Sequence, residues 1–594
     1  MIIKRLAQLR QQMKEQNIDS YLILSGDFHA SEYVGDYFKC REFISGFNGS
    51  AGDLVVTQEE AGLFTDGRYF LQAEEQLQGT GIKLFKQGEQ GVPSLQEFVD
   101  SHLKENQCLG FDGRTVNANF ITELQSKFGD KQISIRGDVD LVGEIWVERP
   151  AISKEPVWEL GIKYAGISRN AKLNQIRRQM AKLGATHHIV SDLMDIAWIF
   201  NLRGNDIAYC PLFLAYAVID KEQTIIFAHR ECFAEELIKM PNIIVREYEE
   251  IYDYVKELGS TAQDNQVKVL LDNNKVNYAL LKALGSNAPI INSDNPSTML
   301  KAVKNEIEIA NMRQAHIKDG VAIIKLWYWL STKIDRAVIT EISLGEKLEE
   351  FRRADNDYLG ASFSPIIGYK GNGAIIHYSA TTASDATIKP EGLLIMDVGG
   401  HYLWGSTDIT RTINLGEPSK QQRQHYTAVL QGNIHLSKAI FAKGSKGVDL
   451  DKIAREPIRK LGLNYNHGTG HGVGYLLSVH EGPQVITGQG ARANEIDFVP
   501  GMISSNEPGI YEVGEYGIRL ENLILCQQLD EEGVLFGFET LTVVPFDLSL
   551  IDVDTLTKEE KQHLNNYHEK VYQTISPFLN KEENEWLAKM TMKV

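Results

Sequence analysis

The chain is 594 residues long, too long for one hydrophobic core, so three or four domains are expected. Its 79 acidic and 61 basic residues leave a net charge of −18, which excludes nucleic acid as a general partner because no surplus basic surface replaces phosphate counterions. Apolar residues make up 43%, an ordinary globular share, yet no run approaches the roughly 18 apolar residues of a membrane span.

The N-terminus, Met1-Ile2-Ile3-Lys4-Arg5-Leu6, runs straight into an amphipathic helix and lacks the apolar core and small-residue cleavage site of a secretory signal. Five cysteines, Cys40, Cys108, Cys210, Cys232 and Cys526, form no CxxC pattern and suit a reducing compartment, so a cytoplasmic protein is expected. A weak internal repeat organises the first half. Helical spacing from Leu6 to Gln16 leads to the strand-like Tyr21-Leu22-Ile23-Leu24, and Ile176 to Leu183 leads in the same way to His188-Ile189-Val190. Each copy continues into a strand, turn, strand pattern, around Leu54 to Phe64 and around Tyr216 to Phe227.

Two similar α/β domains are the economical reading, 1–150 and 151–298, with a boundary near Glu148-Arg149-Pro150 and a turn-rich linker from Asn292 to Thr298. Beyond it, Met299 to Met312 reads as one helix with Leu300, Val303 and Ile307 on a single face, opening a third domain over 299–594. The tail from about Leu550 is charged and helical, with Tyr567, Val571 and Ile575 at helix-face spacing, and reads as an appended cap or interface without chemistry of its own.

The chemistry concentrates in the third domain. Leu393-Leu394-Ile395-Met396-Asp397 is an apolar run ending in an acid, a buried strand delivering a carboxylate to its tip. Asp408 follows eleven residues later, after a Gly-Gly pair, and the two read as a hairpin holding both acids on one face. Their repulsion calls for a cation. His471 lies in His467-Gly468-Thr469-Gly470-His471-Gly472-Val473-Gly474, where glycines let backbone pass close to an occupied centre. Glu507 precedes Pro508-Gly509, a sharp turn, and strand alternation puts Arg519 and Glu521 on the same face. Four carboxylates with one imidazole describe a two-metal hydrolytic centre, better suited to Mn, Mg, Fe or Co than to structural zinc.

The order Asp, Asp, His, Glu, Glu resembles the pita-bread metallopeptidases. Within that superfamily, Ile375-Ile376-His377-Tyr378, the run His467 to Gly474, Val479-His480-Glu481-Gly482-Pro483 and Asn506-Glu507-Pro508-Gly509 resemble the three-domain Xaa-Pro aminopeptidases, or aminopeptidases P. The resemblance continues outside the catalytic half, in Ser45 to Gly52, Thr65-Asp66-Gly67-Arg68-Tyr69-Phe70 and Ala197 to Gly204. It implies an α/β (α+β) fold, with two creatinase-like α/β domains leading a pita-bread catalytic domain, and a homodimer.

It further implies that Asp397, Asp408, His471, Glu507 and Glu521 hold two divalent ions, with manganese favoured and Co2+, Fe2+ or Zn2+ admissible. The implied activity is release of the first residue from peptides with proline in second place, by attack of a dimetal-bridging hydroxide. A dedicated pocket is reasonable, because the Xaa-Pro bond has no N–H and a ring that fixes φ. His377, His467 and His480 are the candidate catalytic histidines. Arg68, His377, His480 and Arg519 are candidate substrate contacts, with an Asp66 to Arg68 turn pair and an orienting contact from Arg519 to Glu521 as the plainer readings. Glu507 is a candidate proton shuttle. The alternatives are a prolidase-type dipeptidase and a non-enzymatic pita-bread binding scaffold. No nucleophile elbow and no phosphate loop is present.

Overall fold

The computed structural model describes residues 1–263, 266–488, 490 and 492–594. The chain forms two compact units, Met1–Gly161 with Ile167–Thr298, and Ile162–Gly166 with Met299–Val594.

The first unit contains two six-stranded sheets of the same topology. In one, β1 (Ser20–Ile23) pairs antiparallel with β2 (Asp53–Thr57), followed by antiparallel β3 (Ala61–Thr65) and parallel β4 (Lys83–Lys86). On the other side of β1 lie parallel β5 (Cys108–Gly110) and β6 (Ser134–Arg136). The second sheet repeats this strand for strand with β7 (His187–Val190), β8 (Ala215–Asp220), β9 (Thr224–Ala228), β10 (Ile243–Arg246), β11 (Val269–Leu271) and β12 (Ile290–Asn292). Each copy opens with a helix whose apolar spacing fixes its inner face. Helix α1 (Ile2–Glu15) buries Leu6, Leu9 and Met13, and α2 (Arg169–Leu183), capped by Ser168, buries Leu173, Ile176 and Met180. Trp198 and Phe200 are core residues of a short helix, Leu193–Phe200.

The single helix expected over Met299 to Met312 is two. A short helix, Pro296–Ala302, stops where Val303 bridges to Met502, and α3 (Glu306–Lys333) restarts with a capping box between Asn305 and Glu308. Asn305 satisfies the N–H groups of Ile307 and Glu308, so it initiates a helix more strongly than it continues one.

In the second unit every strand pair among the described residues is antiparallel. Helices α3 and α4 (Glu341–Arg353) pack Leu326, Leu330, Leu344 and Leu348 against Ile367, Leu394, Met396 and Ile413 of three strands, β13 (Ile366–Tyr369), β14 (Leu393–Val398) and β15 (Ile409–Asn414). Helices α5 (Lys420–Ser437) and α6 (Gly447–Lys460) cover a second strand group, and the expected C-terminal helix, α7 (Lys558–Ile575), buries Leu564, Tyr567, Val571 and Ile575 in the same cluster. Strands therefore line the inside of the unit and helices its back.

Candidate metal centre

Asp397 lies at the end of β14, opposite Thr410 of β15. The two strands pair directly, but the chain between them is not a simple Gly-Gly turn. It folds into a smaller hairpin of Gly400–Tyr402 against Gly405–Ser406. A Cβ at Gly399 would stand 2.2 Å from the Thr407 carbonyl, so only glycine allows this close re-entry. Asp408 emerges two residues before Thr410 and shares its face, which places both acids together as the alternation requires.

Glu507 and Glu521 arrive on strands interrupted at the ligand. Strands β18 (Ile503–Asn506) and β21 (Asn522–Gln528) pair at Asn506 and Asn522, whereas β19 (Gly509–Glu512) and β20 (Tyr516–Arg519) pair at Gly509 and Arg519. Glu507-Pro508 and Leu520-Glu521 thus face each other in one shared break. The chain continues forward through Pro508, so the sharp turn expected after Glu507 is a kink between two strands. Its missing ladder bonds are replaced: the Glu507 N–H donates to Thr469 O and the Glu521 N–H to Thr410 O, at 2.9 and 3.0 Å. Asn433 of α5 donates to the carbonyls of Asn506 and Leu520 at 2.9 and 3.0 Å.

His471 sits on β16 (Gly470–His471), paired with β17 (Val485–Ile486). The glycines around it do a different job from the one expected. A Cβ at Gly470 would lie 2.0 Å from Ser505 O, and one at Gly472 2.1 Å from Glu481 O. They admit neighbouring backbone rather than the contents of the centre. Asp451 and Arg455 of α6 hold this loop from behind, through Thr469 Oγ1 at 2.6 Å and the His467 carbonyl at 2.7 Å.

The five groups converge. Ligand-type atoms of Asp408, His471 and Glu521 lie within 4.8 Å of one another. His471 Nε2 is 3.5 Å from Asp408 Oδ2 and 3.6 Å from Glu507 Oε1. Its Nδ1 donates to the Gly472 carbonyl at 2.9 Å, which leaves Nε2 as the nitrogen offered to the centre. Asp397, Asp408 and Glu521 are buried, while His471 and Glu507 keep partial exposure.

Arg519, buried at 2% exposure, is the cation among them. It donates to Asp397 Oδ2 at 2.5 Å, to Tyr511 OH at 2.7 Å, and to Thr410 Oγ1 and the Ile376 carbonyl at 3.3 Å. The expected orienting contact therefore goes to Asp397, and Arg519 reaches Glu521 only through Thr410, whose hydroxyl donates to Glu521 Oε2 at 2.7 Å. Tyr511 passes its own proton to His467 Nε2 at 2.8 Å, because His467 Nδ1 donates to Gly468 O. His467 is thereby tied to Asp397 through two residues. His480 stands edge-on to His471 with ring centroids 4.4 Å apart. His377 follows Ile376, whose carbonyl Arg519 holds, and stays partly exposed. Arg68 belongs to the first unit, where it clasps Asp66 through Nε and Nη2, both at 2.8 Å.

One guanidinium does not balance four carboxylates. Burial, with repulsion from the neighbouring acids, raises Glu521 well above the usual carboxylate range. Asp397 and Glu507 are raised by burial as well, although Arg519 and, for Glu507, His471 oppose this. Burial alone would push the His471 imidazole down, but Asp408 and Glu507 outweigh it and hold it at about 9. Asp397 Oδ1 is buried without a hydrogen-bond donor, since the adjacent Thr410 gives its proton to Glu521. An oxygen-rich set that is short of positive charge and carries an orphaned carboxylate oxygen fits divalent cations.

Tyr511, Thr410, Asn433 and Arg455 were not singled out by the sequence. Only proximity to a motif marked the first two, and nothing local marked the others.

Comparison with known proteins gives four family matches along the chain. Residues 310–528 match metallopeptidase family M24, residues 5–142 and 148–308 each match the creatinase/prolidase N-terminal domain, and residues 534–594 match the C-terminal region of peptidase M24. A probable Xaa-Pro aminopeptidase P of Botryotinia fuckeliana is 38% identical over 98% of this chain and 91% of its own. Its counterpart in Sordaria macrospora is 38% identical over 99% of this chain and 98% of its own. The X-prolyl aminopeptidase of Caenorhabditis elegans, described as a cytosolic enzyme with a di-nuclear active site, matches with a TM-score of 0.95 at 30% identity, covering 100% of both chains.

Proposed function

The chain belongs to metallopeptidase family M24, among the aminopeptidases P, and from that premise we propose that it is a metal-dependent Xaa-Pro aminopeptidase, releasing the first residue of peptides with proline second. The observation that carries the reading is the convergence of Asp397, Asp408, His471, Glu507 and Glu521 on one buried, cation-deficient centre.

In this reading the five residues hold two divalent ions, with manganese favoured. When bound, the ions supply Lewis acidity, polarising the scissile carbonyl and lowering the pKa of attacking water. The protein supplies the rest. Glu507 is the one carboxylate of the set with partial exposure, so it is the group that takes a proton from water and returns it to the leaving proline nitrogen. His480 and His377, both partly exposed, donate to the oxygen on which charge develops and grip the substrate. His467 is held by Tyr511 with Nδ1 fixed on Gly468 O, a geometry that orients more than it reacts. Arg519, fully engaged with Asp397, Tyr511, Thr410 and Ile376 O, serves by fixing Asp397 rather than by meeting peptide. Arg68 is kept as a substrate contact on its motif alone.

A homodimer in the cytoplasm accompanies this reading. It is supported by the resemblance and by five free cysteines, and no helix among the described residues is long and apolar enough to cross a membrane. The test is turnover of Arg-Pro-Pro against Arg-Ala-Ala and Ala-Pro by metal-stripped protein with and without added Mn2+. Free arginine from the proline tripeptide alone, only with metal, is the expected result. Preference for Ala-Pro would indicate a prolidase, and silence with metal bound a scaffold.

A further inference from the structure

Arg411 directly follows Thr410 on β15, and alternation sends its side chain to the opposite face, away from the acids and into the back of the unit. It is 1% exposed, and no carboxylate pairs with it among the described residues. Carbonyls and polar side chains take all of its donors. Nη1 donates to the main-chain carbonyls of Thr410 and Glu521 at 2.8 and 2.6 Å. Nε donates to Pro545 O at 3.0 Å, and Nη2 to Asn522 Oδ1, Val544 O and Tyr567 OH at 2.7, 2.7 and 2.9 Å.

The last of these partners belongs to the C-terminal helix α7. Tyr567 accepts from Arg411 and donates its own proton to Val544 O at 2.7 Å. The next residue, His568, accepts the Phe546 N–H on Nε2 at 3.1 Å. Residues 541–547 belong to no strand, so two side chains of α7 supply the hydrogen bonding that a neighbouring strand would otherwise give. That segment in turn offers Val544 O and Pro545 O to Arg411.

We propose that α7 is a working part of the metal centre, with Tyr567 and Arg411 acting as positioning residues for Thr410 and Glu521. The need lies in the shared strand break. Glu521 sits where sheet pairing has lapsed, so its main chain is fixed by Thr410 O, Asn433 and Arg411, and its carboxylate by the Thr410 hydroxyl. Of these, Arg411 alone grips the carbonyls of both Thr410 and Glu521, and α7 locks Arg411. Ligands must be held within about 0.5 Å of their working geometry, and outer partners of ligands commonly affect metal affinity 10–100-fold. The inference rests on the reading of these five residues as metal ligands.

The test uses full-length protein stripped of metal, titrated calorimetrically with Mn2+, and examined with Co2+ as a spectroscopic probe. Tyr567→Phe, which removes one hydroxyl, is expected to weaken Mn2+ binding about 10-fold and to alter the Co2+ visible spectrum. Its kcat on Arg-Pro-Pro should fall while KM holds within about two-fold. Arg411→Lys, which keeps the charge but loses the fork, should weaken binding further. Tyr572→Phe, on the exposed face of the same helix, should match the parent in every reading. Wild-type Mn2+ affinity and Co2+ spectrum in both Tyr567→Phe and Arg411→Lys, with only a lower Tm, would overturn the link while leaving the metal centre standing. A parent protein that binds no Mn2+ would instead overturn the metal reading, and this link with it.

Discussion

Arg519→Met removes the one guanidinium that opposes the carboxylates of the centre and replaces it with a side chain of similar bulk. In the metal-free protein this strips Asp397 of its 2.5 Å partner and leaves an uncompensated buried charge, which costs about 3–5 kcal/mol. The second unit contains about 300 residues, and an unfolding entropy of about 2.1 cal/mol/K per residue gives roughly 0.6 kcal/mol/K, so its Tm should fall by about 5–8 °C. In the metal-loaded protein Asp397 regains cationic partners, and the fall should be less than half as large. Differential scanning calorimetry of stripped and Mn-loaded protein, parent and variant, reads the four values directly. Equal falls in both states, or a metal-free fall below about 1 °C, would refute the view that Arg519 stands in for missing positive charge.

Asp408→Ala should abolish turnover and lower metal content, whereas His480→Ala should lower turnover with metal retained; mass-spectrometric metal counts beside kcat separate the two roles. Gly472→Ala forces a Cβ to within 2.1 Å of Glu481 O, so the segments carrying His471 and His480 must part. A loss of about 3 kcal/mol or more in urea unfolding, with weakened Mn2+ binding, is expected. In the first unit, His188 is wholly buried and burial pushes its imidazole down to about 4. A depressed histidine contributes stability above its unfolded value near 6.5 that is lost as pH falls towards 4. His188→Leu should therefore narrow the stability difference between pH 7 and pH 4.5 by about 2–3 kcal/mol, measured by denaturant unfolding of the first unit at both values.

The five candidate ligands were legible because each is an acid or imidazole attached to a strongly patterned local segment, and Asp397 shows why: four apolar residues in a row, Leu393 to Met396, that end in a carboxylate mark a buried strand carrying it. The repeated α/β domains were legible for a related reason, since the helix, strand, hairpin sequence recurs with its apolar spacing intact. What lay beyond local pattern was not. Arg411 meets Tyr567 across 156 residues and Asn433 meets Leu520 across 87, and no periodicity in either segment announces the pairing. The role of the glycines around His471 was misplaced because sequence shows that a side chain is excluded but not what excludes it. The restart of α3 was readable after all: Asn305 followed three residues later by Glu308 is a helix start, outweighed in the sequence reading by apolar spacing that ran across it.

Product analysis by mass spectrometry bears most directly on the central claim, using metal-stripped protein with Mn2+ restored and Arg-Pro-Pro, Arg-Ala-Ala and Ala-Pro offered together. The account predicts free arginine from Arg-Pro-Pro alone, absent without metal and absent from Asp408→Ala. Arginine released equally from Arg-Ala-Ala, or release that persists without metal, would contradict it.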